Sequence, residues 1–346
     1  MKRKNIFFTL TSILLLTLLM TACGGDETTS SNETEDGQNV NEQESAELQN
    51  INVVLDWTPN TNHTGIYVAQ SQGYFAEEGL NVSIIQPGDA GAETMVAANN
   101  AQFGISYQEN VTNARSSSEI PIVSIAAIIQ HNTSGFASLA EKNITSPKDF
   151  ANHTYGGWGS PAEEPVIASL MQTEQANIED VEFVNIGNSD FFAAMESGID
   201  LAWIYYAWTG IEAELRGVDI NVVYLNDYEE SLDYYTPVII TSEDTVNNDP
   251  ALASSFMAAV SKGYAFAIEQ PEQAAEILIE AEPDLDPELV KASQKWLADK
   301  YQDDAEQWGL QKKEVWVNYA SWLEQNELLE GSFDAEAAFT NQFLPQ

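Results

Sequence analysis

"VVLDWTPNTNHTGIYVA", Val53 to Ala69, is a short apolar run, then a polar knot, then a helix-like start. The knot gathers Asp56, Trp57, Asn60, Asn62 and His63 within eight positions. In open parallel sheets, ligands sit beyond the carboxyl ends of the strands. Hydrogen-bonding and stacking groups directly after a buried strand therefore point to a site, if the sheet is parallel.

The rest of the chain supports that condition. "INVVLDW", "NVSII", "FGISY" and "IPIVSIAAII" read as strands, separated by helix-like "GIYVAQSQGYF", "AETMVAANN" and "QENVTNARSS". A second cycle begins near Ile144 and runs through "HTYGGW", "VEFVNI", "IDLAWIY" and "INVVYL". Strands alternating with helices of this length predict parallel sheets covered on both faces. Ser146 with Pro147 opens one helix in this cycle, and Ser160 with Glu163 three residues on reads as a capping box. Beyond "YYTPVIITSE" the pattern becomes a series of amphipathic helices, with Asp249-Pro250 and Asp286-Pro287 as starts. Apart from the N-terminal stretch, no apolar run reads as membrane-spanning.

The N-terminus is a separate matter. Lys2, Arg3 and Lys4 precede "IFFTLTSILLLTLLM", which is short for a spanning helix. "MTACGG" follows, in the form of a bacterial lipoprotein signal with Cys23 as the lipidated residue; Met20 stands where such signals usually have Leu. Cys23 is the only Cys among the 346 residues, so the chain can form no internal disulfide and no thiolate metal site. Residues 26–50 are polar and acidic with few large apolar groups, the composition of a flexible tether. The expected division is a signal over 1–22, a tether over 23–50 and a globular body from Ile51. That body is longer than one core usually serves, which predicts two lobes.

The formal charge is −41, from 13 Lys and Arg against 54 Asp and Glu. So few cations build no basic patch, which excludes nucleic acid as an expected partner. Because the acid is spread along the whole chain, it reads as a solvated surface suited to a salty or alkaline exterior.

For catalysis the chain offers little. There is no HExxH, GxSxG or CxxC, and His63, His131 and His153 lie far apart. His63 is the best catalytic suspect, with a cap or ligand hydrogen bond as the plainer role. "YGGWGSPAEE" lacks the GKS/T of a P-loop and the spacing of a dinucleotide fingerprint. Its glycines would let backbone approach a ligand, or would simply make a tight turn. Trp203 lies inside a strand run and reads as core. Tyr205 and Tyr206 are adjacent, so in a strand only one of them faces a pocket.

"LDWTPNTNHTGIYVAQSQGYFAEEGLNV", "ISYQENVTNARSSSEIPIVSIAAIIQHNTSG", "YGGWGSPAEE" and "WIYYAW" together resemble the NMT1/THI5-like family. This group contains bacterial binding proteins for thiamine pyrimidine precursors and the yeast-type pyrimidine synthases. The resemblance implies an α/β, two-lobed, type II periplasmic-binding-protein fold with a hinge and a helical C-terminal region. It divides the body into lobe 1 (51–137 and 237–346) and lobe 2 (138–236), with crossings near 134–139 and 234–239. The function it implies is capture of a thiamine pyrimidine precursor, such as N-formyl-4-amino-5-aminomethyl-2-methylpyrimidine, for an ABC permease. The protein would be a monomer outside the cytoplasm, anchored through Cys23, without a cofactor or metal. The residues it points to are Trp57, Asn60, His63, Tyr107, Trp158, Glu163, Tyr206 and Trp208, with Asp56 and Glu109 as further candidates. Thr209 departs from the acid frequent in the family after the last Trp, which leaves open another small aromatic or nitrogenous ligand. A synthase is the remaining reading, but it needs a cysteine-rich iron motif that this chain lacks.

Overall fold

The computed structural model describes residues 48–88, 90–117, 120–187 and 189–346. The expected signal, Cys23 and the tether as far as residue 47 lie outside the described residues. Ten strands follow in chain order: β1 (Gln49–Val54), β2 (Leu80–Ile85), β3 (Phe103–Ser106), β4 (Ile122–Ala127), β5 (Ser134–Leu139), β6 (Thr154–Gly157), β7 (Glu182–Asn185), β8 (Leu201–Tyr205), β9 (Ile220–Tyr224) and β10 (Val238–Ser242). The first strand thus begins two residues before the expected start of the body.

The strands form two sheets of the same design, β2-β1-β3-β10-β4 and β7-β6-β8-β5-β9. In each, one strand is antiparallel to both of its neighbours: β10 in the first sheet, β5 in the second. Each of these is the first strand laid down after the chain crosses from the other sheet. A strand entering from the crossing runs away from it, whereas the remaining strands run toward the junction and deliver their carboxyl ends there. The polar knot after β1 is therefore aimed at the space between the sheets.

Sheet membership moves the expected lobe boundary. All of 134–139 belongs to the second sheet, so the first crossing lies between β4 and β5 rather than at 137/138. Nor does the C-terminal region belong wholly to the first lobe. In the helix Lys313–Gln325, Trp316 is buried with the first-lobe cluster of Val54, Val96 and Ile240. One turn on, Tyr319, Trp322 and Leu323 are buried with Phe150, Tyr155 and Leu170 of the second lobe. The helix staples the two lobes on the side of the crossings.

Both sheets carry apolar packing on both faces. The first is packed chiefly by the helices Thr64–Ser71 and Pro250–Glu269, which cross in close contact. A Cβ on Gly263 would stand 2.0 Å from the Gly65 carbonyl oxygen, and one on Gly65 would meet the Tyr264 ring at 2.4 Å. That contact fixes the start of the helix after the polar knot. By length and hydropathy, Pro250–Glu269 is apolar enough to cross a membrane, contrary to the sequence expectation. It buries nine of its residues in the body, as a core helix does. β4 is an edge strand but fully buried. Its open side is covered by the C-terminal segments, through Ala127 N–H to Gly309 C=O and Thr340 N–H to Ser124 C=O.

The helix starts follow the sequence with one shift. Asp249 and Asp286 cap the helices that begin at Pro250 and Pro287, and Ser146 with Asp149 forms a capping box before a 3-10 turn. Ser160 does not open its helix directly; that helix spans Glu163–Thr173, and Glu163 reaches back instead.

Candidate functional site

A cavity of ≈ 450 Å³ lies where the strand ends of the two sheets meet. Its first-lobe wall is built by the loops after β1 and β3. Asp56, Trp57, Asn60 and Asn62 come from the first, and Tyr107, Glu109 and Asn110 from the second. Its second-lobe wall is built by β8, with Trp203 and Tyr205, and by the segments after β6, β7 and β8, with Trp158, Phe191, Trp208 and Thr209.

The first wall is a hydrogen-bonded lattice. Asn60 caps the 3-10 turn Thr61–His63, accepting from Asn62 N–H at 2.9 Å and donating to Thr58 C=O at 3.0 Å. Its own N–H donates to His63 Nδ1 at 3.2 Å. With Nδ1 used as acceptor, the ring proton is fixed on Nε2, which donates to Asp56 Oδ1 at 2.6 Å. The other oxygen of Asp56 accepts the Tyr107 hydroxyl. Burial pulls the Asp56 pKa up, but His63 and the two hydrogen bonds outweigh it and hold the carboxyl below its usual value. Burial and the facing Asp56 push the Tyr107 hydroxyl well above its ordinary range.

Glu109 behaves in the opposite way. It accepts the Tyr234 hydroxyl at 2.5 Å on one oxygen. Burial raises its pKa, and this single hydrogen bond only partly opposes the rise.

The second wall is aromatic. Trp158 and Trp203 lie 5.3 Å apart at 57°, and Tyr205 faces Tyr107 across the cleft at 6.4 Å and 18°. Trp57 and Trp158 remain 52% and 40% exposed, among the few large apolar side chains of the described residues that are not covered. Exposed rings on opposite walls of one cavity are suited to close on a flat ligand.

Of the eight residues pointed to by the resemblance, five line the cavity: Trp57, Asn60, Tyr107, Trp158 and Trp208. Three do not. His63 is fully buried behind Asp56, with both ring nitrogens engaged. Glu163 is buried behind the glycine loop, where it accepts Tyr155 OH at 2.6 Å and the N–H groups of Trp158, Gly159 and Ser160 at 3.0, 2.8 and 2.8 Å. It holds the loop that carries Trp158. Gly157 is required there, because a Cβ would stand 2.5 Å from Glu163 Oε1. Tyr206 turns outward, bonding Glu214 at 2.6 Å and packing on Trp296 at 5.2 Å.

The tyrosine of the pair that faces the cavity is Tyr205. It is two residues from Trp203 on β8, and that parity puts both on the cavity side. Tyr206 begins the π-helical turn Tyr206–Gly210, which rotates it away. Trp203, read as core, therefore also faces the site. Asn62, part of the polar knot, also lines the cavity, whereas Asn110, Ser189 and Phe191 were not expected; a polar residue just past a strand end was the available signal for Asn110. Residues 130–136, which lead from β4 into β5, do not line this cavity. His131 lies instead at a smaller one of ≈ 310 Å³ with Trp296 and Lys300. Among the described residues, no group of three or more His, Cys, Asp and Glu is placed to hold a metal ion.

Comparison with known proteins agrees with this architecture. The family model described as "NMT1/THI5 like" matches residues 60–274. The chain is 30% identical over 303 residues to the formylaminopyrimidine-binding protein of Halalkalibacterium halodurans, covering 85% of this chain and 90% of that protein. It is 23% identical over 303 residues to a 4-amino-5-hydroxymethyl-2-methylpyrimidine phosphate synthase of Legionella pneumophila, covering 85% and 92%. In fold it is similar to the periplasmic aliphatic sulphonate binding protein SsuA from Escherichia coli, with a TM-score of 0.65 at 13% identity over 84% of this chain and 97% of that one. The two-lobed type II periplasmic-binding-protein fold is thus the fold of this chain, and the chain belongs to the NMT1/THI5-like family.

Proposed function

We propose that this protein is the extracytoplasmic substrate-binding component of an ABC importer. Its ligand is a thiamine pyrimidine precursor, N-formyl-4-amino-5-aminomethyl-2-methylpyrimidine or a close relative, taken up for salvage. The observation that carries this reading is the pairing of walls around one ≈ 450 Å³ cavity, a hydrogen-bonding lattice facing a bank of aromatic rings. The volume is in the range of small-molecule sites. A single heteroaromatic ring fits both walls, stacking on one and presenting its donor and acceptor edge to the other. The name of the Halalkalibacterium halodurans relative supports the choice of ring.

Binding is preferred over synthesis for a local reason. His63, the best catalytic suspect, spends Nδ1 on a backbone N–H and Nε2 on Asp56, and no part of it lines the cavity. In this reading the ligand bridges the lobes and favours the closed form by its differential affinity for the two states. A permease reads that closed form, and a lipid on Cys23 keeps the monomer at the membrane.

Calorimetric titration of the body from Gln49 onward with formylaminopyrimidine, hydroxymethylpyrimidine and thiamine tests this. Tight binding of one pyrimidine, with a change in Trp fluorescence, is the expected result. Failure of every pyrimidine to bind overturns the ligand assignment.

A further inference from the structure

Two carboxyl groups line the cavity, and they are not in the same situation. Asp56 has both oxygens occupied, one by His63 Nε2–H and the other by the Tyr107 hydroxyl. It is part of the wall. Glu109 has only Oε2 occupied, by the hydroxyl of Tyr234, and among the described residues no donor reaches its Oε1.

We propose that Glu109 is the specificity-determining residue of the cleft, and that its free oxygen Oε1 accepts an N–H from the exocyclic amino group of the bound ring. This rests on the reading of the cleft as a pyrimidine site and names the contact that selects among pyrimidines.

The placement supports it. Glu109 lies in the first turn of the helix Gln108–Ser116, directly after β3, and this turn is fixed from two sides. Gln108 exchanges hydrogen bonds with Tyr235, its N–H donating to the Tyr235 carbonyl and its Oε1 accepting the Tyr235 N–H, both at 3.0 Å. Tyr234, 1% exposed, holds Glu109 itself. The carboxyl is thus positioned before any ligand arrives, with one oxygen left for the half-buried cavity it lines. A ligand that closes the cavity over that oxygen must supply a donor, because an acceptor buried without one is costly. An oxo group at the same ring position would bring a lone pair against a lone pair, and sites built around a hydrogen bond reject such analogues strongly. Burial raises the Glu109 pKa, as expected of a carboxyl whose charge is incompletely matched. The aromatic wall stacks on any flat ring and cannot make this distinction.

The test compares 4-amino-5-hydroxymethyl-2-methylpyrimidine with its 4-oxo analogue by titration calorimetry, on the wild-type chain, E109Q and E109D. The wild type is expected to prefer the amino compound by roughly 100-fold or more. E109Q, whose amide can donate as well as accept, should reduce that ratio by at least about tenfold. E109D should keep the sign of the preference at lower affinity, which a merely structural role for Glu109 would not require. Thermal unfolding of each variant checks that the fold is retained, and E109D carries the test if E109Q is unstable. If the wild type prefers the amino ring and both variants discriminate as it does, the Glu109 assignment is overturned while the pyrimidine site stands. If the wild type binds neither compound, the pyrimidine reading falls and the assignment falls with it.

Discussion

The two walls of the cleft hold their shape by different means. The first-lobe wall is a chain of hydrogen bonds from the Asn60 backbone through His63 and Asp56 to Tyr107, nearly closed on itself. The second-lobe wall is made of rings, and its glycine loop is pinned from behind by one carboxylate, Glu163. In the first wall Asp56 and Tyr107 both line the cavity and hold the lattice together. In the second, the exposed rings and the residue that fixes them are separate. Substitutions should therefore lower stability and affinity together at the buried groups that hold either wall, and affinity alone at the exposed rings.

The largest effect is expected at Asp56. Asp56→Ala leaves His63 Nε2–H and the Tyr107 hydroxyl without an acceptor in a buried place, at about 1–3 kcal/mol for each orphaned group, so a loss of roughly 3 kcal/mol in urea unfolding is expected. A loss below about 0.5 kcal/mol, the range of ordinary surface changes, would break the claim that this wall is structural. Glu163→Gln comes next. Its amide nitrogen would face N–H donors that the carboxylate now accepts, and about 2 kcal/mol of stability should go. Ligand affinity should fall with it because Trp158 loses its support, although Glu163 does not line the cavity.

Trp57→Ala and Trp158→Ala isolate the opposite case. Both rings are substantially exposed, so unfolding should change by less than about 0.5 kcal/mol. Ligand affinity should weaken by about 1.5 kcal/mol, roughly tenfold in Kd, if each ring stacks. Full affinity in both variants would remove the aromatic half of the site.

A further contrast lies between the cleft and the crossings behind it. His131, on the first crossing, bonds Asp233 on the second at 2.6 Å and Asp304 at 3.3 Å. The hydrogen bond to Asp233, together with the surrounding carboxylates, pushes its pKa up to about 9, although burial opposes the rise. A raised His pKa gives stability that is complete below the unfolded value near 6.5 and is lost as pH rises through about 9. The ring is 39% exposed, so screening limits the effect to under about 1 kcal/mol. Melting temperature should fall between pH 6.5 and 9 in the wild type, and His131→Gln should flatten that fall. An unchanged slope in the variant would show that the crossings are held by other contacts.

Much of this was legible in the sequence because the main signals are local. The alternation of apolar runs and helical segments gave two α/β cycles, and "DWTPNTNH" announced the first wall because polar groups crowd directly behind a strand. The crossings were less legible. The first crossing was expected near 134–139, and only pairing with β8 and β9 assigns these residues to the second sheet. The dual membership of Lys313–Gln325 was hidden for the same reason, since amphipathicity says which face is buried and not against what. Glu163 was misplaced because a carboxylate beside a glycine loop looks the same whether it meets a ligand or three backbone N–H groups.

Tyr205 and Tyr206 give the smallest and sharpest test. Along β8, alternation places Trp203 and Tyr205 on the cavity side, and the π turn then carries Tyr206 outward. Its ring lies over its own turn, so close to Gly210 that a Cβ there would meet it at 2.5 Å. Its hydroxyl serves an exposed bond to Glu214. Tyr206→Phe removes only that bond, and ligand affinity should change by less than about 0.5 kcal/mol. Tyr205→Leu removes a ring that faces Tyr107 across the cleft, and affinity should drop measurably, by about 1 kcal/mol. The reverse order of effects would mean that the chain rotates at the end of β8 when ligand binds, and that the second wall is remade on closure rather than already present.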